Sequence, residues 1–141
     1  MNFSTVNDIN LISLDVIHSN GANLYIFENL NDLFTIKRIF TITPEEGEDK
    51  ERGYHAHRKD VQIVTCPHGS ISFTAKDGTN ELTINLDNPG KAIYVPTYIW
   101  GETKYLEENT VVTVYSSQRY DEGSYIRDFN LFLKIRNGEA N

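Results

Sequence analysis

The stretch Arg52-Gly53-Tyr54-His55-Ala56-His57-Arg58-Lys59 decides how the rest of this 141-residue chain is read. It holds the one pair of imidazoles at i and i+2. On a β-strand successive side chains alternate faces, so His55 and His57 point the same way. Gly53 permits close approach of backbone or ligand just before them. The run Val61-Gln62-Ile63-Val64-Thr65-Cys66 follows, with strong strand preference. The reading is of two histidines at the mouth of a strand, aimed into one cavity. Three interpretations stand at this point: a metal site, a proton-transfer site, or two polar residues beside a turn.

Outward from that strand, short β-segments recur at even spacing. Leu11–Ile17 reads as a first strand, Asn20-Gly21 as a hairpin turn and Leu24–Glu28 as the return. Phe34–Ile42 alternates, with Arg38 on an otherwise apolar face, a local conflict that marks a candidate site. Thr43–Glu51 is acidic and turn-like. Beyond the histidines, Pro67–Ser70 reads as a turn and Ile71–Ala75 and Glu81–Leu86 as a hairpin. Ala92–Pro96 reads as a further strand, and Thr110–Ser116 as a strand buried on both faces. In the tail, Ile126, Phe129, Phe132, Leu133 and Arg136 sit near helical spacing, so a short helix is expected over Tyr125–Arg136. Asp121 and Glu122 are expected to cap or begin it. The pattern predicts one all-β domain over residues 1–141: a β-sandwich or barrel whose turn order fits a jelly roll, with a short C-terminal helical segment.

Bulk composition narrows the partners. A net charge of -7 argues against a nucleic-acid backbone, while local arginines can still take one phosphorylated small molecule. Cys66 is the lone cysteine, so no disulfide forms within the chain and a reducing, cytoplasmic setting is expected. Met1–Asn10 carries no secretory pattern, and no apolar run approaches the roughly 20 residues that span a bilayer. Eight tyrosines and seven phenylalanines favour sheets and stacking pockets.

The metal reading can be tested on spacing. A cupin metal site wants a glycine, His-x-His, an acid a few residues on, and a later Gly-x5-Pro stretch followed by another histidine. Here Gln62 stands where the acid would be. Gly90 and Pro96 supply the second stretch, but Gly101 follows Trp100 where the histidine would stand. Two imidazoles alone hold a divalent ion weakly. The spacing therefore speaks for the fold and against a metal. Proton transfer needs less, because imidazole titrates near neutrality and a pair can pass a proton unaided.

The residues then reach a family. Phe34–Arg38, Arg52–Lys59, Gln62–Val64, Tyr94-Val95-Pro96 with Trp100, and Tyr120-Asp121-Glu122 with Tyr125-Ile126-Arg127 form a series. It resembles the sugar 3,4-ketoisomerases of the WxcM-like cupin group, over about Leu11 to Phe132. The resemblance implies a cupin-type jelly-roll β-barrel, a homodimer that converts dTDP-4-keto-6-deoxy-D-glucose to its 3-keto isomer with no metal; no redox cofactor is required, because the hydride count does not change. It implies His55 and His57 as the proton-transfer residues. Such products are normally aminated next and end in surface polysaccharides such as O-antigen. Two departures stand out. The family usually carries a histidine after the tryptophan, at Gly101, and often an arginine before the first hairpin glycine, at Asn20. Both the galacto and the gluco product therefore stay open.

Other residues carry two readings each. Arg38 and Arg52 are candidates for the nucleotide diphosphate, or else pair with carboxylates. Gln62 is a candidate to orient a histidine or bind a sugar hydroxyl, or is an amide bonded to backbone. Trp100 and Tyr94 are candidates for the sugar or base pocket, or are core residues. Cys66 reads as a small buried hydrophobe. Rival functions are a 3,5-epimerase, a non-catalytic nucleotide-sugar-binding cupin and a metal-dependent oxygenase.

Overall fold

Alternation of the kind read around the histidines builds two antiparallel sheets. The computed structural model describes residues 2–45 and 51–141. Glu46, and with it much of the acidic loop expected before Glu51, lies outside them. The strands are β1 (Asn10–Ser13), β2 (Asp15–Ser19), β3 (Ala22–Ile26), β4 (Arg38–Ile42), β5 (Glu51–His57) and β6 (Gln62–His68). They continue as β7 (Ile71–Lys76), β8 (Glu81–Leu86), β9 (Lys91–Val95), β10 (Trp100–Tyr105), β11 (Val111–Ser116) and β12 (Tyr125–Ile126). The one α-helix among the described residues, α1 (Phe129–Arg136), lies near the C-terminus.

One sheet runs β1-β9-β6-β11-β4 and the other β12-β5-β10-β7-β8. Strands β4 to β11 thus fall four to a sheet, as β4-β11-β6-β9 and β5-β10-β7-β8. That is the double Greek-key order of a jelly roll. The all-β jelly roll with a C-terminal helix expected from the sequence is what forms. Among the described residues no ladder joins the two sheets, so they pack face to face and are not closed by hydrogen bonds into a barrel.

Two apolar clusters hold these layers. The first lies between the sheets and includes Val64, Cys66, Ile71, Phe73, Leu86, Ile93, Ile99, Val112 and Val114. The second lies on the outer face of the β5 sheet. There Ala56, Trp100 and Ile126 meet Phe132 and Ile135 of α1. Because β5 alternates, Ala56 serves the outer cluster while its neighbours His55 and His57 face inward.

Several local expectations need correction. Leu11–Ile17 is two strands: β1 pairs with β9, Leu14 breaks the run by bonding Gly90 O, and β2 pairs with β3 through the Asn20-Gly21 turn. Only Arg38–Ile42 of the long alternating segment is strand. In β11, Val112, Val114 and Ser116 are buried, while Val111, Thr113 and Tyr115 are half-buried on the outward side. The helix begins at Phe129, where Asp128 caps it by accepting the Leu131 N–H. Tyr125–Ile126 instead pairs with β5, and Asp121 caps the short 3-10 turn Glu122–Ser124. Trp100–Tyr105 is a strand that Gly101, Glu102 and Lys104 disguise in the sequence.

Candidate active site

His55 and His57 share the inner face of β5 and touch. Their Nε2 atoms lie 3.0 Å apart, and the rings meet at 89° with centroids 4.6 Å apart. A hydrogen bond between two Nε2 atoms requires one to carry the hydrogen and the other the lone pair. The pair therefore presents one acid and one base at once. Burial holds both rings well below the ordinary imidazole value. The neighbouring His57, Arg127 and Arg52 push His55 the same way. For His57, Asp60 opposes the shift and Arg38 and Arg127 add to it. At neutral pH both rings are thus uncharged.

They face a cavity of about 960 Å3 between the two sheets. That is the upper range of small-molecule sites. Its walls come from β4, β6 and β11 on one side and β5, β7 and β10 on the other. Arg52 reaches it through a β-bulge. Gly101 pairs with His55, but Thr103 pairs with Arg52, so three steps of β5 match two of β10. Without the bulge Arg52, three positions from His55, would point to the opposite face. Gly53, at φ +77°, supplies the backbone turn that makes this possible.

Arg38 and Gln62 also line the cavity, and a third residue holds both. Asp60 is buried, at 3% exposure. Its carboxylate accepts from Arg38 Nη2 at 3.1 Å, Gln62 Nε2 at 2.8 Å, Ser117 Oγ at 3.2 Å and the Gln118 N–H at 3.1 Å. Gln62 Nε2 also donates to Ser116 Oγ at 3.1 Å. The amide thus bonds side chains, not backbone. Sequence reasoning missed Asp60, since an aspartate ahead of an apolar strand looks like any solvated turn residue.

Trp100 lies elsewhere. It is 4% exposed and packs on Phe129 and Phe132 at 5.1 and 5.7 Å, so it belongs to the outer cluster and not to the cavity wall. Alternation along β10 explains the correction: Trp100 points out where Gly101 points in. A Cβ on Gly101 would stand 3.0 and 3.1 Å from Cε2 and Cζ of Phe73. The Phe73 ring thus takes the room a side chain there would need. Tyr94 does not line the cavity, whereas Tyr105, Tyr120, Tyr125 and Arg127, all given no site role from sequence, do.

Among the described residues no three of His, Cys, Asp and Glu converge as metal ligands. Three buried side-chain atoms in the described residues lack a hydrogen-bond partner: Arg38 Nε, His57 Nδ1 and Tyr105 OH. All three belong to residues lining this cavity. Leaving such groups unpaired costs about 1–3 kcal/mol each, so they mark where a polar ligand or water belongs.

Comparison with known proteins places this geometry. The FdtA family, described as WxcM-like, C-terminal, matches residues 7–137. A TDP-4-oxo-6-deoxy-alpha-D-glucose-3,4-oxoisomerase of Aneurinibacillus thermoaerophilus is 38% identical over 119 residues, covering 84% of this chain and 85% of that relative. The crystal structure of QdtA, a sugar 3,4-ketoisomerase from Thermoanaerobacterium thermosaccharolyticum in complex with TDP, matches with a TM-score of 0.85. It is 30% identical and covers 93% of this chain and 96% of that one. A histidine-to-asparagine mutant of QdtA, in complex with TDP-4-keto-6-deoxyglucose, also gives a TM-score of 0.85 at 30% identity, over 93% and 95% of the two chains. With the family match running from Asn7 to Asn137, across both sheets and the helix, the chain belongs to the WxcM-like FdtA family.

Proposed function

We propose that this chain, acting as one domain, is a 3,4-ketoisomerase of dTDP-4-keto-6-deoxy-D-glucose that works by imidazole proton transfer. The observation that carries the reading is the neutral His55–His57 pair, bonded at 3.0 Å and facing a cavity of about 960 Å3. The kinship with ketoisomerases supports the choice of substrate.

The chemistry follows. The C4 ketone acidifies the hydrogen on C3. His55, the more exposed of the two, removes it as a proton, leaving an enediolate whose charge rests on O4. O4 gains a proton and O3 gives one up, and C4 then receives a proton as the carbonyl forms at C3. Atoms and electrons balance with no redox partner. His57, behind His55, exchanges the proton shared between the two Nε2 atoms. Arg52 is assigned to the diphosphate. Gln62 spends its amide hydrogens on Asp60 and Ser116, so its oxygen is the atom to accept from a sugar hydroxyl. Arg38, already paired with Asp60, is assigned to shaping the wall more than to holding phosphate. No metal is invoked, because two imidazoles with no third ligand among the described residues make a poor cation site.

Two assembly features belong to the same proposal. The hairpin β2–β3 exposes Val16, Ile17, Leu24 and Tyr25, and the edge strand β4 exposes Ile39. These apolar surfaces suit a homodimer. A buried, reduced Cys66 and a nucleotide-sugar substrate suit the cytoplasm. No helix in the described residues is long and apolar enough to cross a membrane.

A second reading, binding without turnover, draws on Gly101, where Phe73 leaves no room for a further proton donor. Incubation with dTDP-4-keto-6-deoxyglucose in D2O, followed by NMR, decides. Isomerisation with exchange at one carbon is expected. Exchange at C5 would mark an epimerase, and binding with no exchange would mark the second reading. Turnover is expected to survive EDTA; loss on chelation, restored by added metal, would refute the metal-free mechanism.

A further inference from the structure

The C-terminal motif Tyr120–Arg127 is not used by the chemistry above, yet it closes over the imidazoles. Tyr125 pairs with His57 across β12 and β5, so its side chain shares the inner face. Its ring lies 4.5 Å from the His57 ring and 4.9 Å from the His55 ring, centroid to centroid. The next residue, Ile126, is buried in the outer cluster and anchors the segment from behind. Arg127 sets its guanidinium over the Tyr125 ring at 4.3 Å. Glu122 grips Arg127 at both oxygens, 2.6 Å to Nε and 2.9 Å to Nη2. Tyr120 donates its hydroxyl to the same carboxylate at 2.6 Å, and its ring lies 5.8 Å from that of Tyr125.

Every link in this chain of contacts ends on the Tyr125 ring, and the ring ends on the two histidines. No hydrogen bond holds the outer nitrogen of His57, Nδ1. Within the protein, the angle between the imidazoles is thus set by their shared hydrogen bond and by the ring that packs on both. Resting on the ketoisomerase reading, we propose that Tyr120–Arg127 is a clasp in which Tyr125 is a positioning residue: its ring holds His55 and His57 in their shared hydrogen bond, and Glu122 acts through Arg127 to hold that ring.

The ring does the holding, so the phenol hydroxyl is dispensable and the aromatic plane is not. The groups that face the imidazoles are Arg52 on β5, Arg38 on β4, Asp60 after β5, and Arg127 with Glu122 in the clasp. Removing the ring admits water and loosens the angle without changing any of these charges.

The test compares Tyr125→Phe, Tyr125→Leu and Tyr125→Ala by steady-state kinetics. 15N NMR of the histidines in the free protein gives a second readout, independent of turnover. Tyr125→Phe is expected to stay within about threefold of wild type. Tyr125→Ala is expected to lower kcat at least tenfold, with KM within threefold, and to raise the imidazole titrations toward the ordinary value. Tyr125→Leu keeps bulk in the site and decides the matter if the alanine variant fails to fold; it should fall in kcat and shift in titration the same way. Glu122→Gln should lower kcat in wild type and add nothing in the Tyr125→Ala or Tyr125→Leu background. Unchanged histidine titrations in the leucine variant would overturn the clasp, even if the protein proved not to be an isomerase. So would a phenylalanine variant as impaired as the alanine one, since the hydroxyl would then be the working group.

Discussion

The two faces of the β5 sheet are made by the same strands and obey opposite rules. Outward, Ala56, Trp100 and Ile126 meet Phe132 and Ile135 in an apolar layer. Inward, one residue along each strand, stand His57 and Gly101, with Arg52 brought in by the bulge. All the unpartnered buried side-chain atoms among the described residues belong to residues on the cavity side. The outer face is built to be finished without a ligand. The inner face is built to be finished by one. Substitutions on the two faces should therefore separate stability from turnover.

The largest effect is expected at the imidazoles. His57→Asn keeps a polar group of similar size but loses the proton-transfer nitrogen. It should lower kcat by about a thousandfold, or roughly 4 kcal/mol of barrier, within the usual range for removing general acid–base catalysis. TDP affinity should stay within a few-fold and thermal stability should barely move. A mutant that retains most of its turnover would remove the histidine pair from the mechanism. The mirror experiment is Trp100→Ala. Emptying that site should cost about 3–5 kcal/mol of stability by denaturant titration, as for other buried aromatics. The protein that stays folded should keep kcat within a few-fold. If kcat fell as far as stability, Trp100 would have to act on the cavity after all, and the separation of faces would fail.

A smaller effect comes from pH. Burial holds both imidazoles below their ordinary value, so below about pH 6.5 the unfolded chain takes up protons that the folded one refuses. Stability should fall as pH falls through this range, by at most about 1.4 kcal/mol per pH unit for each imidazole. The window from pH 6.5 to 5 lies above the ordinary carboxylate range, which isolates the histidines. A His55→Asn/His57→Asn double variant should be nearly flat across it. An equal slope in that variant would assign the acid sensitivity to other groups.

How far the sequence carried the argument also differs between the faces. The jelly roll was legible because turns punctuate the chain evenly and the strands alternate, as Ile71–Ala75 does. The histidine pair was legible because i and i+2 on a strand need no tertiary knowledge to share a face. Arg52 was named, but the cause of its placement was not visible: a bulge changes the parity of every residue beyond it, and parity is what a sequence reading counts. Trp100 went to the wrong face for a related reason. β10 is interrupted by Gly101, Glu102 and Lys104, so no alternation existed to assign sides. Asp60 and Tyr125 were beyond reach, because their roles consist of partners distant in the chain, Ser117 for one and His55 for the other.

The smallest effect tests the boundary between the faces, at Gly101. This residue faces the cavity, next to a tryptophan that faces away, and its missing side chain is replaced by the Phe73 ring. Two effects oppose each other in Gly101→Ala. A new Cβ at 3.0–3.1 Å from the ring forces Phe73 to yield, which costs about 1 kcal/mol. Against this, alanine loses less backbone freedom than glycine on folding, which contributes about 0.4–1 kcal/mol where the backbone suits it. Gly101 is not among the residues with positive φ, so the backbone does suit it. The net change in the wild-type background should therefore be near zero. In a Phe73→Leu background the steric cost disappears and the same substitution should stabilise. The difference between the two backgrounds is the packing energy of the Phe73–Gly101 pair, and a denaturant double-mutant cycle measures it directly. An identical effect in both backgrounds would show that the ring does not fill that space, and that Gly101 leaves a true vacancy beside the imidazoles.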